Sequence, residues 1–229
     1  MVERILTYER DLFLALNGSD SAFLDRFMWL YTGKFIWLPL IAFILVVLIY
    51  KKNWRESVLV LLAIGLVVLL CDQFTSHLCK PYFMRFRPTH HPDFMEQVKV
   101  VFDYRGGLYG FISGHAANSF GVALLLSCIM KNKLFTWTVF LWAVLMSYTR
   151  IYLGVHFISD IVPGAISGLI FGYIVYLVYR YARGRLVPGA DLSKSPYSVL
   201  RGNLIVYGIW VMTLIVIVFN VPLVSCFLR

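Results

Sequence analysis

An all-α integral-membrane bundle is the fold this sequence predicts, and three observations predict it. Of 229 residues, 60% are apolar and 14% charged, with a mean hydropathy of +0.76; a soluble domain averages about 45–50% apolar and about 25% charged. The apolar residues gather into six runs, each near the roughly 20 residues that a helix needs to cross a hydrocarbon core. Polar breaks separate the runs, so each segment can satisfy its own backbone hydrogen bonds in lipid as a helix. This composition excludes a soluble enzyme and a disordered tail. The net charge of +9 reads as membrane-flanking cations and a site for an anion, because nucleic-acid binding needs a basic stripe on one face.

The elements follow in order within one membrane-embedded domain spanning 1–229. Residues 1–26 mix charge with apolar residues, and Val2, Ile5, Leu6, Glu9, Leu12, Phe13 and Leu16 fall at helical spacing, ended by Asn17-Gly18. This predicts an amphipathic helix on the interface, retained in the mature protein because the pattern of a cleaved signal is missing. Six transmembrane helices are expected at about 27–50, 57–79, 111–130, 134–152, 157–179 and 204–226. Gly164, Gly168 and Gly172 give the fifth a small-residue face suited to close packing within the bundle. Cys71, Cys79, Cys128 and Cys226 show no metal-ligand spacing.

Alternating helices place 1–26, 80–110, 150–156 and the C-terminus on one side of the membrane, and the other loops opposite. Lysines and arginines divide evenly between the sides, with Lys34 inside a helix. Once Lys80, Arg87 and Arg150 are set aside for chemistry, the excess lies in the short loops of the opposite side. Basic loops face the cytoplasm, so the 80–110 side is expected to be external.

Ionisable groups at membrane depth are expensive and point to function. Three groups of them occur, all on the 80–110 side. Six residues separate Lys80 from Arg87-Pro88, and two such cations can converge on one phosphate, a planar fork beside a point charge. Alone, the pair reads more simply as snorkelling side chains. Ser113-Gly114-His115 opens the third helix, whose free N–H groups and positive dipole end suit a phosphate. His115 can give a proton to a leaving oxygen, although a capped helix with an interfacial histidine explains this triplet equally well. Arg150, His156 and Asp160 run from the fourth helix into the fifth. His156 and Asp160 lie four apart on one helix face, so the carboxylate can hold the imidazole in one tautomer. The other ring nitrogen is then free to attack phosphorus.

Together these are the parts of phosphoryl transfer. The three motifs, Lys80-x6-Arg87-Pro88, Ile112-Ser113-Gly114-His115 and Thr149-Arg150-x5-His156-x3-Asp160, closely resemble in order and spacing the signature of the type 2 phosphatidic acid phosphatase superfamily. The resemblance covers about 70–165, the expected catalytic core. Ile112 stands for the family's usual proline and Thr149 for its serine, and neither position carries charge or acid–base chemistry. The resemblance implies a metal-independent phosphatase without cofactor. His156 would form a phosphohistidine assisted by Asp160, His115 would protonate the leaving group, and Lys80, Arg87, Ser113, Gly114 and Arg150 would cradle the phosphate. Water would then hydrolyse the intermediate.

Asp103–Gly110 leads into the second motif, and its glycines suggest a lid in which Tyr104, Arg105 and Tyr109 could meet a headgroup; an interfacial aromatic belt explains the stretch equally well. His90 and His91 read as loop residues, and Asp72 and His77 as helix-facing polar contacts. The expected partners are the bilayer and a lipid phosphate, with no nucleic acid: undecaprenyl pyrophosphate, lipid A, phosphatidylglycerol phosphate or phosphatidic acid, hydrolysed in a bacterial inner membrane with the site facing the periplasm. Two rivals remain. A vanadate-dependent haloperoxidase shares the motifs but resembles soluble proteins, and a non-catalytic anionic-lipid binder or transporter would also explain intramembrane charge.

Overall fold

The structure, a computed structural model, describes residues 3–228; Val2 and the Ile5 side chain of the predicted apolar face lie outside what it describes. Helix α1 spans Glu3–Leu16 and ends where expected, with Gly18 at φ +67°. Its inner face is Leu6, Glu9 and Phe13, and the Phe13 ring packs on Phe94 and Phe157 at 5.6 and 5.3 Å between centroids. Leu12 and Tyr8 stay exposed. Residues 22–26 belong to the next helix, α2 (Ala22–Thr32), because the Ser21 hydroxyl caps it by accepting the Leu24 N–H at 3.3 Å.

The remaining helices are α3 (Leu38–Ile49), α4 (Trp54–Asp72), α5 (Lys80–Phe83), α6 (Gly114–Met130), α7 (Lys133–Tyr152), α8 (Ile158–Leu186), α9 (Val199–Val218) and α10 (Asn220–Phe227). A π-helical segment, Gln73–Cys79, joins α4 to α5, so one helix runs from Trp54 to Phe83 and carries Lys80 on its last turn. No strand occurs among the described residues beyond one bridge between Phe86 and Tyr109.

Six full-length spans are not reproduced by length and composition among the described residues. Four helices, Trp54–Phe83, Lys133–Tyr152, Ile158–Leu186 and Val199–Val218, are long and apolar enough to cross a membrane. A fifth arises if Ala22–Thr32 and Phe35–Ile49, bent by 72°, are taken as one span. The run at 27–50 breaks at Gly33, whose extended backbone (φ −69°, ψ 133°) ends α2, and at Lys34, which lies at this break and not inside a helix. The Trp37 indole N–H donates to the Tyr31 carbonyl at 2.7 Å and satisfies an end of the interrupted ladder. Helix α6 has only 17 residues because 111–113 form the loop that leads into it. The expected last span, 204–226, is divided at Phe219 into α9 and α10.

Helices α6 and α8 make the tightest pairing. A Cβ at Gly164 would lie 2.6 Å from the Ser113 carbonyl and one at Gly172 2.5 Å from the Gly121 carbonyl, while one at Gly168 would collide with the Ala117 carbonyl. Only hydrogen at these three positions lets the backbones approach so closely, which is the packing role expected of them.

Loops gather in two sets, as helix alternation requires. On one side the Asn17 side chain donates to the carbonyls of Lys99 (3.1 Å) and Tyr152 (2.9 Å), and Arg26 donates to Asn220 at 2.7 Å. On the other, Arg183 pairs with Glu56 at 2.8 Å, Lys131 donates to the Ser193 carbonyl at 2.7 Å, and Asn132 donates to Asn203 at 2.9 Å. The 180–203 segment, from the end of α8 to the start of α9, is thereby anchored to α4 and to the turn between α6 and α7.

Candidate active site

The sharp return from α7 to α8 brings His156 and Asp160 together. Gly154 adopts φ +70°, the left-handed conformation this turn requires, and the N–H groups of Val155 and His156 both donate to the Arg150 carbonyl at 3.1 and 3.2 Å. His156 Nδ1 lies 3.3 Å from Asp160 Oδ2, which also accepts the Phe157 N–H at 3.0 Å. With Nδ1–H donating to this acceptor, Nε2 keeps its lone pair. Burial, and then the nearby cations Arg87, Arg150, Lys80 and Arg85, hold the His156 imidazole well below its ordinary value, so it is neutral and nucleophilic at physiological pH.

The cations come from three places. Arg87 is buried, donating from Nε to the Tyr109 carbonyl and from Nη1 to the Val155 carbonyl, both at 3.2 Å. Burial and the neighbouring Arg150 pull its pKa down to about 10, which leaves it charged at neutral pH. Arg150, 2% exposed, donates to Thr32 Oγ1 at 2.7 Å and to the Tyr104 hydroxyl at 2.9 Å. Lys80 donates to Ser76 Oγ at 3.3 Å, and Ser76 in turn donates to Asp72 at 3.2 Å. Three cations held near a neutral imidazole make a site for a dianion.

The start of α6 is tied to the start of α8, because the Ser113 N–H donates to the Asp160 carbonyl at 3.0 Å. Ser113 is the N-cap, its hydroxyl accepting the Ala116 N–H at 3.4 Å. Gly114 leaves room for Thr75, whose Oγ1 would be 3.1 Å from an added Cβ. His115 is partly exposed and lines a cavity of about 380 Å³ together with Trp29, Thr32, Lys34, Tyr104 and Phe227. The break between α2 and α3 thus opens beside the histidine expected to act as the acid.

The residues of the suspected lid have structural tasks. Tyr104 steadies Arg150 through its hydroxyl, and the Arg150 guanidinium lies 5.3 Å from its ring centroid. Burial raises the Tyr104 phenol, but Arg150, Arg87 and Lys34 outweigh it and set the pKa below its ordinary value. Arg105 donates to the Thr89 carbonyl at 3.3 Å and its own carbonyl accepts from the Thr89 hydroxyl at 2.9 Å. Tyr109 packs on Phe86 at 5.7 Å. His90 accepts or donates at Thr89, and His91 packs against Phe94 and Phe157. Asp72 makes its helix-facing contact, whereas His77 is exposed. Ile112 is buried, and the Thr149 hydroxyl donates to the Met146 carbonyl at 2.6 Å, so both departures from the motifs are absorbed by packing and local helix bonding.

Sequence reasoning missed a second buried ion cluster behind the dyad. Arg85, within the six-residue spacer of the first motif, donates to Asp160 Oδ1 at 2.8 Å and to Ser159 Oγ at 2.6 Å. It also pairs with Glu9 of α1 at 2.7 Å. Both Ser159 and Arg85 converge on Glu9, since Ser159 donates its hydroxyl at 2.6 Å and its N–H at 2.9 Å. The one available signal is that Arg85 is a third cation within eight residues of a membrane exit.

The PAP2 superfamily model matches residues 57–184. The chain is 48% identical over 218 residues to "Lipid A 4'-phosphatase" of Porphyromonas gingivalis, covering 95% of this chain and 91% of that one. It is 35% identical over 223 residues to a protein of the same name from Bacteroides thetaiotaomicron, covering 94% and 99%. Among solved structures, Aquifex aeolicus LpxE aligns with a TM-score of 0.54 and 30% identity over 73% of this chain and 94% of that one. A PAP2-type phosphatidylglycerolphosphate phosphatase from Bacillus subtilis shares the fold, with a TM-score of 0.56 at 24% identity over 82% and 90% of the two chains.

Proposed function

The chain belongs to the PAP2 superfamily and is a membrane lipid-phosphate phosphatase; from that premise we propose that it removes a phosphate monoester from lipid A through a phosphohistidine at His156. The observation that carries the mechanism is the buried His156 imidazole held by Asp160 at 3.3 Å, with Arg87, Arg150 and Lys80 among the cations acting on it. The lipid A substrate is taken from the two relatives of that name, which match almost the whole chain.

The phosphate dianion sits among Lys80, Arg87, Arg150 and the N-terminal N–H groups of α6 beside Ser113 and Gly114. The Nε2 lone pair of His156 forms the P–N bond as the P–O bond to the sugar breaks. His115, protonated once the phosphate dianion stands beside it, gives that proton to the departing oxygen. The positive charge that develops on the imidazole is offset by Asp160. A water then attacks phosphorus and yields its proton to His115, the P–N electrons return to Nε2, and inorganic phosphate leaves. Charge on the transferring oxygens is met by guanidinium and ammonium groups throughout. The leaving group occupies the cavity beside His115, whose wall joins Trp29 and Phe227 to Lys34, a mixture suited to an amphiphile. The catalytic end faces the periplasm from a bacterial inner membrane.

The test is phosphate release by purified protein in detergent with EDTA, from lipid A, undecaprenyl pyrophosphate, phosphatidylglycerol phosphate and phosphatidic acid. Lipid A is expected to be the preferred substrate, the chelator to leave the rate unchanged, and His156→Ala to be inactive. Preference for another lipid would overturn the substrate, and a labelled phosphoenzyme in His156→Ala would overturn the nucleophile.

A further inference from the structure

Helix α1 already docks through Phe13, packed between Phe94 and Phe157. It nevertheless carries a carboxylate into the protein: the Glu9 side chain is 9% exposed and meets an Arg85 side chain that is 1% exposed. Burying such groups is weak ground for stability, since apolar residues of similar volume commonly do as well. The cluster therefore calls for an explanation beyond helix docking.

Its connectivity supplies one. Arg85 is shared: Nη2 goes to Glu9 Oε1 at 2.7 Å, Nη1 to Asp160 Oδ1 at 2.8 Å, and the guanidinium carbon lies 4.5 Å from the Phe157 ring centroid. Asp160 gives its other oxygen to His156 and to the Phe157 N–H. Two carboxylates and one guanidinium leave one net negative charge behind the imidazole, shielded from water. Without Glu9, Arg85 would cancel Asp160 alone, and an imidazolium formed on phosphorylation would have no net counter-charge behind it. Arg87, Arg150 and Lys80 add positive charge around His156, and each opposes an imidazolium there.

We propose that Glu9 is a positioning residue of the phosphatase: by holding Arg85 it keeps the Asp160 charge available to His156, which makes the N-terminal helix part of the catalytic apparatus. This rests on His156 being the nucleophile. Glu9 acts through Arg85 and Asp160, so it governs formation of the P–N bond and not phosphate binding.

The experiment compares Glu9→Gln, Glu9→Asp and Arg85→Gln with Asp11→Asn, an exposed change on the same helix. The readouts are kcat and KM, inhibition by inorganic phosphate, the rate of phosphoenzyme labelling, and the acid limb of the pH profile. Glu9→Gln should lower kcat and labelling by about tenfold or more, with KM and phosphate inhibition within about twofold. Losing a negative charge destabilises the imidazolium, so its acid limb moves to lower pH. Losing the Arg85 cation moves the limb to higher pH, which keeps the test decisive should Glu9→Gln fail to fold. Glu9→Asp should restore most of kcat, and Asp11→Asn should match the wild type. A Glu9→Gln enzyme of normal kcat, or acid limbs that stay in place in both charge variants, would overturn the proposal. Absence of any phosphoenzyme in the wild type would instead remove the nucleophile on which it rests.

Discussion

Gly110 is where one added methyl group tests the geometry of the dyad. A Cβ there would stand 3.0 Å from Asp160 Oδ2, 3.2 Å from Arg87 Cγ and 3.5 Å from His156 Nδ1. Gly110→Ala should reduce kcat by about tenfold or more, because small misplacements of reacting groups are expensive, with little change in melting temperature in detergent. Protonation of His156 carries a stability consequence whose sign is fixed. Its folded pKa is depressed from an ordinary value of about 6.5, so below that pH the unfolded chain binds a proton that the folded pocket refuses. Stability contributed at this site is complete above about 6.5 and declines as pH falls toward the folded value. Melting curves between neutral and acid pH should show this decline, and His156→Gln should make it shallower. His115 is separable by leaving group: His115→Ala should lose most activity on alkyl phosphates and least on aryl phosphates, whose oxygens depart without a proton. An equal loss on both would deny it the role of acid. The residues of the three motifs were readable in the sequence because charge at membrane depth is rare. Glu9 and Arg85 were not, since a glutamate on an amphipathic helix and an arginine at a helix exit each have an ordinary explanation, and only folding joins positions 76 residues apart.

At the scale of elements, the α6–α8 pairing controls where the catalytic groups stand. Helix α6 begins at Gly114 beside His115, and α8 at Ile158, two residues after His156, so the glycine-lined contact between them sets the distance from the proposed acid to the proposed nucleophile. Gly168→Val would drive a branched side chain into the Ala117 carbonyl and should destabilise the protein by about 3 kcal/mol or more, measured as thermal melting in detergent. The small-residue spacing announced this contact in the sequence. Helix breaks were harder to read. The 27–50 run is continuous in hydropathy, and a single Gly33-Lys34 step is a weak signal against so many apolar neighbours. The division at Phe219 had one sign, Asn220 followed by Pro222, since proline early in α10 suits a helix start and not a helix interior. At the other end of the bundle, Glu56 and Arg183 join α4 to α8 with side chains 4% and 10% exposed, and the Tyr179 hydroxyl donates to the same carboxylate. Glu56→Ala should cost about 3–5 kcal/mol by stranding a buried guanidinium, while the specific activity of folded protein stays unchanged.

For the whole molecule, the two loop sets give the chain a catalytic end and a basic end. Every group proposed for chemistry comes from the set containing α1, 80–115 and 150–160. The opposite set holds the short loops with Lys51, Lys52, Arg55, Lys131 and Lys133, and several of these cations are committed to neighbouring backbone carbonyls: Lys52 to Pro196, Arg55 to Leu186 at 3.1 Å and Lys131 to Ser193 at 2.7 Å. Structural use of these cations does not weaken their value as a topogenic signal, because orientation is set by charge near span ends during insertion. The orientation proposed from this signal has the basic end in the cytoplasm and the catalytic end outside. Single cysteines test this in a Cys226→Ser background. Gly107→Cys sits at the catalytic end, where a Cβ meets no atom within 4 Å, and Lys194→Cys replaces a side chain 81% exposed at the basic end. In intact spheroplasts a membrane-impermeant maleimide should label Gly107→Cys at once and Lys194→Cys only after lysis. The reverse pattern would turn the enzyme around and require its lipid phosphate to be met in the inner leaflet.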